Sequence, residues 1–152
     1  MQLSDVFLAL GEDSFQQLLK TVSIGKLKTF QLFERFKVRA HLNKLNAEAL
    51  RKAAPRFWLR LSEKDEEFAQ DLAQSILISH LEMIQSALNI LGIPNEDGFF
   101  AKDIDPAPHL TDGWQQRVFD GLKDKHAPVA LQFYINHLAF ELQKEPVIFQ
   151  PS

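Results

Sequence analysis

Residues 62–92 contain the feature that most constrains the fold, a long stretch of apolar residues at helical spacing. One side of a helix would carry Phe68, Leu72, Ile76, Met83 and Ala87. Another side would carry Leu77, Leu81, Ile84 and Leu88. A helix that is apolar on most of its sides is buried on most of its sides. The pattern therefore predicts a long central helix over about 63–91, around which the rest of the chain packs.

Both ends of this segment carry boundary signals. Ser62 precedes the expected helix and Asp65 follows three residues later, a spacing close to that of a capping box. Gly92 predicts the C-terminal end, because glycine tolerates left-handed backbone angles. At the rise of an α-helix, a segment of this length would span ~43 Å.

Similar signals predict further helices on both sides of the central one. They are expected over residues 4–10, 15–22, 27–44, 47–53, 113–125 and 129–144, with a short helical turn over 55–61. Gly25 is interpreted as a helix stop, and Pro55 as a residue that ends or kinks a helix. The sequence shows no convincing strand pattern. The fold is therefore predicted to be all-α, a single-domain bundle (1–152) of about six or seven helices.

Composition excludes some classes of site. The chain has no cysteine, which rules out thiolate-bound metals and thiol nucleophiles. Its 13 Phe residues, against 1 Tyr and 2 Trp, indicate a large core. No apolar run approaches the ~20 residues of a membrane span, and the N-terminus lacks the basic start of a signal peptide. We therefore expect a cytoplasmic protein without membrane contact and without a cofactor.

Charge is distributed unevenly along the chain. Residues 20–60 hold eleven Lys and Arg and two acidic residues, a net +9, whereas the whole chain has a net charge of −3. Such a segment predicts binding of phosphate, nucleic acid or an acidic protein. The alternative is that the chain's own acidic residues neutralise it. The residues expected on this basic surface are Lys28, Arg35, Arg39, Arg56 and Arg60.

Part of this segment resembles a DNA-binding element. Residues 21–30, TVSIGKLKTF, are similar to the turn and the start of the recognition helix in tetracycline-repressor-type regulators. The matching residues are Val22, Ser23, Leu27 and Phe30. The resemblance implies that Lys26, Lys28, Thr29 and Gln31 face a major groove. It covers ten residues, and Gln17 and Lys20 stand where that family has small residues.

Histidines provide a different candidate site. His137 and Glu141 are four residues apart, so they share one helix face and both side chains could contact one metal ion. His80 would join them if the last helix packs against the central one. The alternative is a buried histidine with a single hydrogen-bond partner, because the paired Glu-x-x-His motifs of di-iron bundles are absent from the sequence.

The segment 93–110 is long for a loop in a compact domain. Its acidic residues do not follow the EF-hand spacing. We expect residues 95–98 to form a turn, and Phe99 and Phe100 to insert into the core and hold the loop down. The alternative is that this pair of Phe side chains contacts a partner.

Taken together, these patterns favour a non-enzymatic protein-interaction module that contacts an unknown protein or a second copy of itself. The first alternative is a nucleic-acid or anion binder that uses the basic surface within residues 26–60. The second is a metal-dependent enzyme that uses His80, His137 and Glu141.

Overall fold

Helices dominate the computed structural model, which describes residues 2–29, 32, 55–142 and 148–151. The helices within these residues are α1 (Leu3–Leu8), α2 (Glu12–Lys20), α3 (Ile24–Thr29), α4 (Pro55–Lys64), α5 (Glu66–Ile78), α6 (Leu81–Leu91), α7 (Trp114–Leu122) and α8 (Pro128–Leu142). Two short strands, β1 (Asn95–Glu96) and β2 (Phe99–Phe100), form a hairpin, and Ala107–His109 forms one 3-10 turn. The all-α prediction is confirmed.

Contacts between Cα atoms divide the chain into two compact units, Gln2–Ser79 and His80–Ser152. We call them the N-terminal unit and the C-terminal unit. The first contains α1 to α5, and the second contains α6 to α8 with the hairpin. Among the residues described, no helix is both long enough and apolar enough to cross a bilayer.

Aromatic side chains fill the core of the N-terminal unit. Helix α1 packs against α4 and α5, while α2 packs against α4 and α3 against α5. The rings of Phe7 and Phe15 meet edge to face with their centroids 5.5 Å apart. Trp58 and Phe68 join α4 to α5 with ring centroids 6.0 Å apart. Aromatic pairs in such geometries contribute beyond the area that they bury, so they orient the helices as well as filling space.

The predicted single helix over 63–91 is wrong, because the chain forms two helices there. Helix α5 ends at Ile78, and His80 has non-helical backbone angles of φ −129° and ψ 33°. The Ser79 hydroxyl donates to the Ser75 carbonyl at 2.8 Å. Serine bonds of this kind compete with the backbone ladder and bend helices. The predicted end at Gly92 is confirmed, with glycine in the left-handed conformation at φ 72°.

The start of this region also differs from the prediction. Pro55 begins α4, as suits a residue without an N–H in the first turn. The helix that Pro55 was expected to end or kink lies outside the described residues. Ser62 lies inside α4, where its hydroxyl donates to the Trp58 carbonyl at 2.9 Å. The cap of α5 is Asp65, whose carboxylate accepts from the Phe68 N–H at 3.0 Å. The predicted capping role of Ser62 therefore belongs to Asp65.

In the C-terminal unit, α7 packs against both α6 and α8, and β1 lies against α6. Seven consecutive residues of α8, from Phe133 to Ala139, are buried. Burial on every side is the property that the sequence predicted for the segment 63–91. The last helix of the chain has it instead.

Gly25 lies inside α3 and is not a helix stop, because that helix begins at Ile24. The hairpin appears where no strand was expected. The predicted helix over 47–53, and most of the one over 27–44, lie outside the described residues.

Candidate functional site

A two-residue turn connects the strands of the hairpin between α6 and α7. Its central residues, Asp97 and Gly98, have positive φ angles of 53° and 93°. Positive φ at both central residues defines the type I′ turn, whose twist matches that of paired strands. The register places Asn95 opposite Phe100 and Glu96 opposite Phe99.

Asn95 anchors the hairpin to the end of α6. Its side-chain nitrogen donates to Asn89 Oδ1 and to the Ile93 carbonyl, each at 3.0 Å. Its side-chain oxygen accepts from the Gly98 N–H at 3.3 Å. A Cβ atom on Gly98 would lie 2.9 Å from the Leu81 carbonyl oxygen, so the turn sits directly on the first turn of α6.

The phenylalanines of this hairpin are exposed, and the expectation that they insert into the core is wrong. Phe99 is 58% exposed and Phe100 is 39% exposed. Cross-strand partners share a face of a hairpin, so Phe100 lies on the side of Asn95 and Phe99 lies on the opposite side with Glu96. Asn95 and Gly98 hold the segment down, which leaves both rings available. We call Glu96, Asp97, Phe99 and Phe100 the hairpin surface.

Exposed acidic residues lie close to these rings along the chain. Glu96 and Asp97 belong to the hairpin, and Asp103 follows closely; all three are exposed. Lys102 is also exposed and is the only basic residue between positions 93 and 110 other than a histidine. The hairpin surface therefore presents one exposed aromatic ring on each of its faces, next to mainly negative charge.

The basic surface predicted from the sequence is only partly described. Arg56 and Arg60 are exposed on one face of α4, a turn apart. Arg35 and Arg39 lie outside the described residues, as does the side chain of Lys28. The structure therefore does not test whether these five residues form one surface.

The segment that resembles a DNA-binding turn does connect two helices. Helix α2 ends at Lys20 and α3 begins at Ile24, with three residues between them. The Ser23 hydroxyl accepts from the Lys26 N–H at 3.2 Å, which caps α3. Lys26 is exposed, whereas Leu27 is buried. Gln31 lies outside the described residues, as do the side chains of Lys28 and Thr29.

His137 and Glu141 do meet on α8. The distance from His137 Nε2 to Glu141 Oε1 is 3.8 Å, and the His137 ring lies 5.7 Å from that of Phe133. His137 is only 4% exposed, and this burial lowers its pKa to about 4. Burial likewise raises the pKa of the Glu141 carboxyl. At neutral pH the His137 imidazole is therefore uncharged. The Glu141 carboxylate is half exposed and does not offset the lowering of the His137 pKa by burial.

Tyr134 precedes His137 by one turn of α8 and is buried. Burial raises the pKa of its hydroxyl, and the negative charge of Glu141 acts in the same direction. A tyrosine in this setting remains protonated and does not act as a base.

His80 has a different neighbourhood. Burial lowers its pKa, and repulsion from His126 adds to the effect. Within the residues described, no three His, Asp or Glu side chains are grouped so that they could hold a metal ion. The structure therefore does not bring His80, His137 and Glu141 together as a metal site.

Asn136 makes a contact that the sequence analysis missed. Its side-chain nitrogen donates to the Phe149 carbonyl at 3.1 Å, and its oxygen accepts from the Phe149 N–H at 2.6 Å. The Phe149 ring lies 6.0 Å from that of Phe119 on α7. The available signal was an amide inside the apolar run of α8, since a buried amide requires hydrogen-bond partners.

A small polar cleft lies among the ends of α1, α4 and α5. It has a volume of about 210 Å³ and is lined by the buried residues Ser4 and Ser62, with Glu63, Lys64 and Glu66 nearby. Ligand pockets commonly measure ~300–1,000 Å³. The cleft is smaller than that range.

Comparison of the chain with protein-family models, with curated proteins and with solved structures found no match.

Proposed function

We propose that this chain is a non-enzymatic protein-interaction module that contacts a partner protein through the hairpin surface. The observation that supports the proposal is the exposure of Phe99 and Phe100. Their hairpin is held against α6 by the contacts of Asn95 and Gly98. A flexible loop would be able to bury these rings against its own unit. This hairpin is held so that they face solvent.

Energetics support a role in binding. Apolar surface removed from water contributes ~25 cal/mol per Å², and aromatic side chains are frequent anchors at the centres of interfaces. Because the type I′ turn already fixes the backbone, binding would order few additional groups. Pre-organisation of this kind raises affinity by lowering the entropic cost of association.

The negative charge of the hairpin surface limits which partner surfaces can bind it. Glu96 and Asp97 are negative, so two hairpin surfaces placed face to face would repel each other. A partner surface with an apolar pocket and basic residues around it fits better. A second copy of the chain would bind this hairpin surface with one of its basic regions, but not with its own hairpin surface.

The experiment compares three proteins: the unmodified chain, a variant carrying Phe99→Ser and Phe100→Ser, and a control carrying Leu8→Ser. Leu8 is 40% exposed on α1, so its replacement removes a comparably exposed apolar side chain away from the hairpin. Affinity capture with each bait is combined with sedimentation velocity across a concentration series.

We expect a captured protein, or a self-associated species, that the unmodified chain and Leu8→Ser share and the double variant lacks. Circular dichroism must show the same helix content for all three proteins. Identical captured proteins and identical sedimentation for all three would show that the hairpin surface is not an interaction site.

A second candidate, binding of nucleic acid or another phosphate ligand, is favoured by one observation. Arg56 and Arg60 are both exposed on one face of α4. Binding of fluorescent duplex DNA and single-stranded RNA should be measured across a salt series. A real phosphate contact at Arg60 predicts that Arg60→Ala lowers the slope of log affinity against log salt by about one. Absence of binding at low salt would eliminate this candidate.

A further inference from the structure

The contact between Asn136 and Phe149 has the form of a peptide-binding site. One side-chain amide satisfies both the N–H and the carbonyl of a single residue, as a neighbouring strand would do. These bonds involve only the main chain of the bound residue. They would therefore be available to any extended segment, whatever its side chain at that position.

The amide belongs to a buried residue of α8 and not to a residue on the protein surface. Asn136 is 1% exposed, and its neighbours Ile135 and His137 on α8 are buried as well. A buried amide is unfavourable without partners, and both of its polar atoms are used by a segment 13 residues further along the chain. Helix α8 thus presents a fixed pair of hydrogen-bonding groups to an extended chain.

Side-chain selectivity comes from α7. The Phe149 ring lies against Phe119 with the ring planes tilted by 58°. Because Asn136 belongs to α8 and Phe119 to α7, the bound residue lies across two helices that pack against each other. We call Asn136 and Phe119 the tail groove. It provides hydrogen bonds to the main chain of one residue and a contact for the aromatic ring of that residue.

The resident segment is only partly enclosed. Ile148, Phe149 and Pro151 have intermediate exposure, and Gln150 is exposed. The described bonds between the tail and the tail groove are the two hydrogen bonds and the one ring contact. A segment that is only partly enclosed can open locally and exchange with a competitor for the same hydrogen bonds.

We propose that the tail groove is a docking site for an extended segment of another protein that carries an aromatic residue, and that residues 148–151 occupy it in cis. The resident tail shows the chemistry that the groove accepts. Recognition resembles strand addition, in which main-chain bonds supply affinity and a side-chain contact supplies selectivity. The tail groove is a separate surface from the hairpin surface, so either can be inactive without the other.

The probe is a fluorescent peptide with the sequence of residues 146–152, PVIFQPS, titrated against the whole 152-residue chain. A Phe149→Ala variant loses the ring contact of the resident tail but keeps Asn136 and Phe119. We expect it to bind the peptide about tenfold more tightly than the unmodified chain, because the competing tail occupies the groove less. A peptide in which alanine replaces the phenylalanine should not bind.

The matched control adds Asn136→Leu to the Phe149→Ala variant, which removes the main-chain bonds with a side chain of similar size. Peptide binding should disappear while helix content is retained. Equal binding by the two variants would overturn the proposal, and so would the absence of binding to a folded Phe149→Ala variant.

A measurement on the unmodified chain covers the case in which a variant fails to fold. Isotope-labelled protein is mixed with unlabelled peptide, and the amide resonance of Phe149 is followed by NMR. Displacement predicts movement of this resonance toward its random-coil position, together with a shift of the Asn136 side-chain amide. Unchanged resonances at millimolar peptide would show that the tail is a structural clip and not a competing ligand.

Discussion

Gly98 shows how one residue decides what a loop presents to solvent. It combines a positive φ of 93° with a Cβ position that points at the Leu81 carbonyl. The sequence correctly indicated a turn over residues 95–98, because Asn, Asp and Gly are typical turn formers. It did not indicate that the turn would rest on α6 and leave both phenylalanines outside. That outcome depends on a distance between residues that are far apart along the chain.

Replacement of Gly98 by alanine tests this close approach. We expect Gly98→Ala to lower the free energy of unfolding by about 1–3 kcal/mol, through backbone strain and contact with the Leu81 oxygen. Gly113→Ala is the control: its φ is 79°, but nothing lies within 4 Å of its Cβ position, so only the backbone term of about 1 kcal/mol applies. Urea unfolding measures both. Equal losses would show that Gly98 is not in close contact with α6.

His137 should make stability depend on pH. Its pKa is about 4 in the folded chain, against ~6.5 for an exposed histidine. Below pH ~6.5 the unfolded chain binds a proton that the folded chain does not, so its contribution to stability is lost as the pH falls toward 4. The raised pKa of Glu141 acts in the opposite direction, but that side chain is half exposed and its effect is smaller.

The expected loss from His137 between pH 7 and pH 5 is about 2 kcal/mol. It is measured as the difference in free energy of unfolding at the two pH values, for the unmodified chain and for His137→Gln. The variant should lose clearly less over this interval. Gln132→Ala, at a non-ionisable residue of intermediate exposure on α8, is the control and should retain the full loss. The same pH dependence in all three proteins would mean that His137 is protonated in the folded chain.

At the scale of elements, most differences between the predicted and the observed helices concern the residue at which a helix begins or ends. The apolar spacing over 63–91 does predict helix, and the residues that carry it are helical in α5 and α6. The break is local: Ser75 and Ser79 donate to carbonyls of the preceding turn, and His80 leaves helical angles. Apolar periodicity continues across a bend, so it does not reveal one. The sequence indicated Ser62 as the cap with Asp65 three residues later, and only the bonds that these residues make show that Asp65 is the cap.

Capping gives a direct test of the boundary between α4 and α5. Asp65→Ala removes the acceptor for the Phe68 N–H and should lower the free energy of unfolding by about 1 kcal/mol. Ser62→Ala removes only a hydroxyl whose acceptor, the Trp58 carbonyl, belongs to its own helix, so a smaller loss is expected. Urea unfolding of the two variants provides the comparison. A larger loss for Ser62→Ala would move the helix start back to the position predicted from the sequence.

At the scale of the whole molecule, α8 is the most buried helix among the residues that the structure describes, and not the segment 63–91. The sequence of α8, PVALQFYINHLAFEL, is apolar on nearly all sides and includes two buried polar residues, Asn136 and His137. Residues 63–91 are similarly apolar, so apolar content alone does not show which of the two segments is more buried. Composition did not predict the two compact units either. Contacts between distant residues define them.

Burial of α8 predicts a large effect of truncating its side chains. Leu131 is fully buried, so Leu131→Ala should cost about 2–5 kcal/mol of unfolding free energy. Leu81 belongs to the same unit but has intermediate exposure, so Leu81→Ala should cost distinctly less. Thermal and urea unfolding of both variants measure the difference. A small loss at Leu131 would contradict the burial of α8.

Local patterns were sufficient for the helical class, for the helix end at Gly92, for the turn at 95–98 and for the contact between His137 and Glu141. Each of these depends on residues only a few positions apart, where spacing and backbone preference dominate. The exposure of Phe99 and Phe100, the capture of Phe149 by Asn136 and the burial of α8 depended on the tertiary structure. In these cases the deciding contact joins residues from different elements, because burial and hydrogen bonding depend on which surfaces meet.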